Sequence, residues 1–347
     1  MNSPQTFAPA VATQARLAVV AFSSLGDGLL YVMMADNLRR AGFAVSYFGD
    51  LVYQLRAWLP QLDIRPYPAR DQFDQTLGEF DLVICSPPQF MRDNMTPENT
   101  EILRRKWLLV CQKAPDTWVY DHTEANRERC PAVVHEQLAA LLKSAGSIRY
   151  KRFDHESVVD ITLDYMRTRM GLAHVDKQVA LTPPASLIHR RYAQRVVISP
   201  DSAGPEKKDW TPSRFLRLGK RLRARGYEPH IVVAPKNHER WQTLVDGQLP
   251  VPRFERIDAL AAFIYESRCL IANDSGNGHL ASFLGIPTIT IYRKQNAHYH
   301  WRPDWAAGTV VCPRLTLPWL SENAWKAFIP THHILDAVDR YDPLAGT

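Results

Sequence analysis

The sequence predicts an α/β protein made of two doubly wound parallel sheets that face each other across a cleft. Apolar runs of strand length, beginning with residues 17–22 (LAVVAF), alternate with amphipathic helical stretches, the pattern of parallel strands covered on both faces. That alternation occurs twice, on either side of the break Leu181-Thr182-Pro183-Pro184-Ala185-Ser186, whose prolines and serine punctuate the chain. Polar, glycine-bearing loops follow several of the strands, at the carboxyl edge where open α/β sheets bind ligands.

Residues 1–16 carry no basic segment followed by a compact apolar one and read as a flexible leader. The first series runs through the strand at 17–22, a tight loop at 23–28 and a helix over 29–41. That helix has Leu30, Met33, Met34 and Leu38 on its apolar face and Gly42 at its end. Strands at 44–48, 63–67 and 81–85 follow. Residues 96–180 read as helices at 100–106, 132–144 and 157–170 with a strand at 118–120. Residues 17–180 form the N-terminal domain and 181–194 the linker.

The C-terminal domain, 195–330, opens with the strand RVVISP at Arg195 and a helix capped by Thr211, with Pro212 in its first turn and Gly226 at its end. A strand at 230–234, a helix at 237–245, a strand at 251–257 and a helix at 260–267 lead to LIANDSGNGHLASFLGIPTITIY at 270–292. This last stretch reads as a strand, a turn at 273–278, a helix over 279–284 ended by Gly285, and a strand at 288–291. A final helix at 332–341 leads into the tail, completing a segment of 331–347.

The 347 residues with 46% hydrophobic content are enough for two ordinary cores. No apolar run reaches the ~18 residues of a membrane span. Cys85, Cys111, Cys130, Cys269 and Cys312 are dispersed and include no CxxC pair, so neither a disulfide framework nor a zinc site is indicated and a reducing cytoplasm fits. A net charge of +6 is mildly basic and no nucleic-acid signature accompanies it. Metal ligation has no support either, since the chain contains no D-x-D pair and Asp154-His155-Glu156 stands alone.

Three loops at strand ends carry the chemistry: residues 23–28, 200–210 and 273–279. In the third, Gly276, Asn277, Gly278 and His279 open a helix, and amides at such a start, with the positive end of the dipole, favour phosphate by ~0.3–1 kcal/mol from the dipole alone. An ordinary βα loop is the alternative for this stretch taken alone. Together, Ser-Leu-Gly-Asp-Gly at 24–28, Lys-Asp-Trp-Thr-Pro at 208–212 and Asp-Ser-Gly-Asn-Gly-His-Leu-Ala at 274–281, followed by Gly-Ile-Pro at 285–287, resemble the ADP-heptose:lipopolysaccharide heptosyltransferases. These are inverting glycosyltransferases of the GT-B fold, with two Rossmann-like domains, and the resemblance covers about residues 17–291.

The resemblance implies that Asp27 is the general base that deprotonates the acceptor hydroxyl. Capping of the following helix is the alternative use of an aspartate there. It implies that Lys208 meets the donor diphosphate, with Lys207 beside it as a competitor, while Trp210 reads as a packing residue. Asp201 and Ser202, at the cleft end of their strand, are assigned to the donor pocket, as are Asp274, toward the donor sugar or ribose, and Ser275. His279 either contacts the donor or packs at the helix start. Ser24 and Gly26 border the acceptor side of the cleft. Arg65, Arg70 and Arg92 are candidates for an acidic acceptor and equally ordinary surface arginines.

No cofactor is expected beyond the nucleotide-sugar substrate, and the resemblance implies no metal. A glycan or glycolipid acceptor is expected, with the protein in the cytoplasm and in peripheral contact with the inner face of the membrane. The run 292–301, YRKQNAHYHW, departs from the family's Phe-Gly-Pro-like turn, so heptose is the family's default donor sugar. A sugar-nucleotide epimerase of similar architecture and a non-catalytic nucleotide-sugar-binding protein are the competing readings.

Overall fold

The computed structural model describes residues 14–21, 24–85, 107–111, 136–137, 146–147, 156–202, 204–293, 301–314 and 324–342. In the first half, β1 (Arg16–Val20), α1 (Leu25–Arg40), β2 (Ala44–Phe48), α2 (Asp50–Tyr53), β3 (Asp63–Arg65), α3 (Phe73–Gly78), β4 (Leu82–Cys85), β5 (Trp107–Cys111), β6 (Gly146–Ser147) and α4 (Val158–Thr168) follow in order. The second half contains β7 (Tyr192–Ser199), α5 (Pro205–Lys208), α6 (Pro212–Ala224), β8 (Glu228–Ile231), α7 (His238–Val245) and α8 (Ile257–Tyr265). Then come β9 (Ser267–Asn273), α9 (Gly276–Phe283), β10 (Thr288–Ile291), β11 (Gly308–Val311) and α10 (Thr331–Arg340).

The strands form two sheets, ordered β3-β2-β1-β4-β5-β6 and β11-β10-β9-β7-β8, and every pairing is parallel. Strand order reverses between β1 and β4 in the first sheet and between β7 and β9 in the second, and such switch points open a crevice at the carboxyl edge. The loops after β1, β7 and β9, singled out in the sequence, all leave from these points.

The apolar runs are continuous because both faces of each sheet are covered. In β1, Leu17 and Val19 join one buried cluster while Ala18 and Val20 join another. In β9, Leu270 and Ala272 pack with α1, α8 and α9, whereas Cys269 and Ile271 pack on the opposite face with α6, α7 and α10.

Several boundaries differ from expectation. Helix α1 starts at Leu25 rather than 29, and α9 at Gly276 rather than 279, because glycines that read as loop residues form the first turn of each. Residues 251–256 form no strand; Pro250 and Pro252 have no amide to give a ladder, and α8 begins at Ile257. Strand β7 begins at Tyr192, paired with Ser267 ahead of an irregularity before Val196. Strands β5 and β11 were not anticipated. The helix expected at 100–106, the strand at 118–120, most of the helix at 132–144 and residues 1–13 of the leader lie outside the described residues.

Candidate active site

The loop after β1 builds one wall of the site. Ser24 is extended (φ −87°, ψ 146°) and caps α1, accepting the Asp27 amide at 3.4 Å while its own hydroxyl donates to the Asp27 carboxylate. Ser24, and not Asp27, is therefore the cap, and Asp27 sits in the first turn of α1. Gly28 lets Tyr47 reach over it to donate a hydrogen bond to its carbonyl at 3.1 Å. A Cβ on Gly28 would lie 3.2 Å from that hydroxyl and from Val52. The Tyr47 hydroxyl, fully buried with Asp27 nearby, is pushed well above the usual tyrosine range and stays a neutral donor.

The opposite wall comes from the loops after β7 and β9. Asn273, buried at the end of β9, donates to the Pro200 carbonyl and accepts the Trp210 amide at 3.1 Å, so one side chain fastens the two loops together. Trp210 is buried, edge-on to Phe215, with its indole N–H on the Lys326 carbonyl at 2.8 Å; it is a packing residue. Next to this brace Lys208 Nζ lies 2.6 Å from Asp274 Oδ2. The side chain of Lys207 lies outside the described residues.

Ser275 occupies the N-cap position of α9 in an extended conformation (φ −149°, ψ 159°) without making a side-chain cap, and its hydroxyl is buried without a hydrogen-bond partner among the described residues. The amides of Gly278 and His279 both turn back to the Ser275 carbonyl, at 3.1 and 3.3 Å. Of the amides expected to form a cradle, those of Gly276 and Asn277 remain unspent among the described residues. Asn277 gives its side-chain amide to Ser199 at 2.9 Å.

The two walls meet at the N-termini of α1 and α9. A Cβ on Gly26 would lie 3.0 Å from Cδ2 of His279, and one on Gly276 would lie 3.1 Å from Cβ of Leu25. Glycine at both positions is what lets the helix starts touch. The buried His279 ring lies at this contact, within electrostatic reach of Asp27, Asp274 and Lys208 and edge-on to Trp305 with centroids 5.9 Å apart. Burial lowers its pKa, while Asp274, Asp27 and a bond to the Trp301 backbone act in the opposite direction and Lys208 adds to the lowering. His279 therefore packs as a neutral ring at the contact between the two halves.

Other expected residues lie elsewhere or have other work. The Asp201 carboxylate accepts the Ala234 amide (3.2 Å), Asn237 (2.8 Å) and Trp241 Nε1 (3.3 Å), which braces the turn after β8. Ser202 accepts the Gly204 amide at 3.2 Å and bonds Asp209, whose carboxyl is raised chiefly by burial. Arg65 pairs with Asp63 on its own strand at 2.7 Å and stacks over Phe48 and Phe80 at the sheet edge. Arg92 and the side chain of Arg70 lie outside the described residues. Sequence reasoning passed over Asn273, Ser199 and Tyr292. The signal for Tyr292 is its position: Ile291 pairs with Asn273, so Tyr292 leaves β10 level with Asp274 on β9.

Residues 118–317, more than half of the chain, match Glycosyltransferase family 9 (heptosyltransferase). The chain belongs to this family. It is thus a glycosyltransferase, and its two parallel sheets are those of the GT-B fold. The fold is shared with the glycosyl transferase family 9 protein of Veillonella parvula (16% identity, TM-score 0.66, covering 94% of this chain and 97% of that one). It is also shared with ADP-heptose lps heptosyltransferase II of E. coli (13%, 0.63, 94% and 98%) and with E. coli heptosyltransferase WaaC with ADP (14%, 0.61, 94% and 99%). No curated protein matches the sequence. Among the described residues, no three His, Cys, Asp or Glu side chains gather as a metal site, and no helix is long and apolar enough to cross a membrane.

Proposed function

We propose that this glycosyltransferase moves heptose from ADP-heptose, with inversion, to a lipopolysaccharide-type or other cell-surface glycan acceptor. The observation that carries the reading is the meeting of α1 and α9. At that meeting Asp27 and Lys208 both act on the buried His279 ring, which puts a carboxylate near an anion-binding group made of Lys208, the Gly276 and Asn277 amides and a Ser275 hydroxyl that has no partner among the described residues. A base on one side and a diphosphate site on the other is what displacement at an anomeric carbon needs.

In the proposed step the acceptor oxygen attacks the anomeric carbon from the Asp27 side and Asp27 takes its proton. The bond from that carbon to the diphosphate oxygen breaks, and ADP leaves with the electron pair. Its growing negative charge is met by Lys208 and the start of α9 in the transition state. With those cations and amides in place, the proposal includes no divalent ion and no cofactor. Lys208 must exchange Asp274 for phosphate, which leaves Asp274 free to accept a hydroxyl of the donor sugar or ribose.

ADP as the nucleotide is supported by the structural likeness to the WaaC complex with ADP together with family membership. We assign the acceptor to the N-terminal domain, residues 17–180, and the donor to the C-terminal domain, residues 195–330, joined by the linker 181–194, with the 331–347 segment closing the chain. We place the reaction at the cytoplasmic face of the inner membrane, where a glycolipid acceptor is reached by peripheral contact.

Titration calorimetry with ADP-, GDP-, UDP- and CMP-sugars, with Lys208→Ala as control, tests the donor. Preferential ADP-heptose binding, weakened in the variant, is expected; tight binding of a different nucleotide sugar would discard heptose. Release of ADP only when acceptor is present is the expected behaviour of a transferase, and conversion of the donor to an epimeric nucleotide sugar without acceptor would favour the epimerase reading.

A further inference from the structure

We propose that Tyr292 is a positioning residue for the donor, its hydroxyl holding the Asp274 carboxylate in place when Lys208 leaves that carboxylate for the diphosphate. The inference rests on the donor site described above and adds a residue to it.

Asp274 pairs with Lys208 at 2.6 Å, and its side chain is only 15% exposed. A donor diphosphate brings at least two negative charges to that ammonium and competes for it. Asp274 would then be a largely buried carboxylate whose cation has been taken away, which is costly unless another donor meets it.

Tyr292 is built to prevent this. It follows β10 at the level where Asp274 follows β9, and its own amide is fixed to the Val311 carbonyl at 3.0 Å. The ring is buried, 4% exposed, so the phenol has little freedom to turn away. The parallel register of β10 against β9 sets the phenol on the Asp274 side of the sheet, within electrostatic reach of Asp274 and Arg302. Burial first, and then the Asp274 charge, push its ionisation well above the usual tyrosine range. Tyr292 therefore keeps its proton at all working pH values and presents a permanent donor to Asp274, unlike Lys208, whose ammonium is shared with the ligand.

The test is a double-mutant cycle of Tyr292→Phe and Asp274→Asn, read by ADP-heptose titration from pH 5 to 8 and by thermal melting. Tyr292→Phe keeps the ring and removes only the hydroxyl. Donor affinity should fall about tenfold, the loss of one hydrogen bond to a charged group. In the Asp274→Asn background, Tyr292→Phe should add little, giving a coupling that a purely structural ring would not show. Equal effects in both backgrounds, or wild-type affinity in Tyr292→Phe, would overturn the role of Tyr292 while leaving the donor site standing. Asp274→Asn with unchanged ADP-heptose affinity, or no ADP-heptose binding by the wild-type protein, would overturn the donor site and this inference with it.

Discussion

Replacing Gly26 by alanine places a methyl group 3.0 Å from Cδ2, 3.3 Å from Cγ and 3.6 Å from Cβ of His279. Carbon atoms rest comfortably at ~3.5–4.0 Å, so the ring or the helix must retreat by about 0.5 Å. The ring is buried and backed by Trp305, which leaves relative movement of α1 and α9 as the cheaper response. Overpacking of this kind costs ~1–3 kcal/mol, and alanine returns up to ~1 kcal/mol of helix propensity, for a net loss of about 0–2 kcal/mol. The larger effect falls on transfer, because Asp27 follows Gly26 directly. A misplacement of 1 Å can cost ~10²-fold, so half that distance should lower kcat/KM about tenfold. Gly78→Ala, where a Cβ meets nothing within 4 Å, is the control and should leave transfer unchanged while raising stability by at most ~1 kcal/mol of helix propensity. Wild-type melting and wild-type transfer by Gly26→Ala would refute the close meeting of the two helix starts.

Ser275→Ala removes a buried hydroxyl that has no partner among the described residues, so stability should hold or rise while ADP-heptose affinity drops by about 1 kcal/mol; calorimetric titration beside a melting curve separates the two. Asp201→Ala should do the reverse, costing about 2–3 kcal/mol in urea unfolding through the lost bonds to Ala234, Asn237 and Trp241, with donor affinity retained. Burial sets the pKa of His279 below its ordinary 6.5, so the unfolded chain binds a proton that the folded protein refuses. Stability from this group is complete above pH 6.5 and declines as pH falls from 6.5 toward the folded value. Urea unfolding should accordingly show a flatter acid limb for His279→Gln than for the wild type.

Much of this arrangement is legible in the chain. Apolar runs at β1, β7 and β9 announce strands covered on both faces, and the polar residues after them mark the switch points. The limits have physical causes. Glycine disfavours helix interiors, so Gly26, Gly28, Gly276 and Gly278 read as loop; the contact between α1 and α9 accounts for Gly26 and Gly276 in first turns, and the approach of Tyr47 for Gly28. Asp201 and Asp274 look alike in sequence, each following a strand at the cleft edge. Tertiary neighbours separate them, since Asp201 is spent on the turn after β8 and Asp274 on Lys208. Arg65 is taken up by Asp63, a pairing that depends on both side chains emerging on one face of β3. Tyr292 needed the register of β10 against β9, which no local pattern encodes.

The general-base role of Asp27 is tested most directly by Asp27→Asn, in which the amide replaces the carboxylate at nearly constant shape and Ser24 keeps its cap. Titration with ADP-heptose and an assay of acceptor-dependent ADP release should be run on the same folded preparation. The account predicts unchanged donor affinity with transfer reduced by ~10²–10⁴-fold, and turnover at the wild-type rate would contradict it.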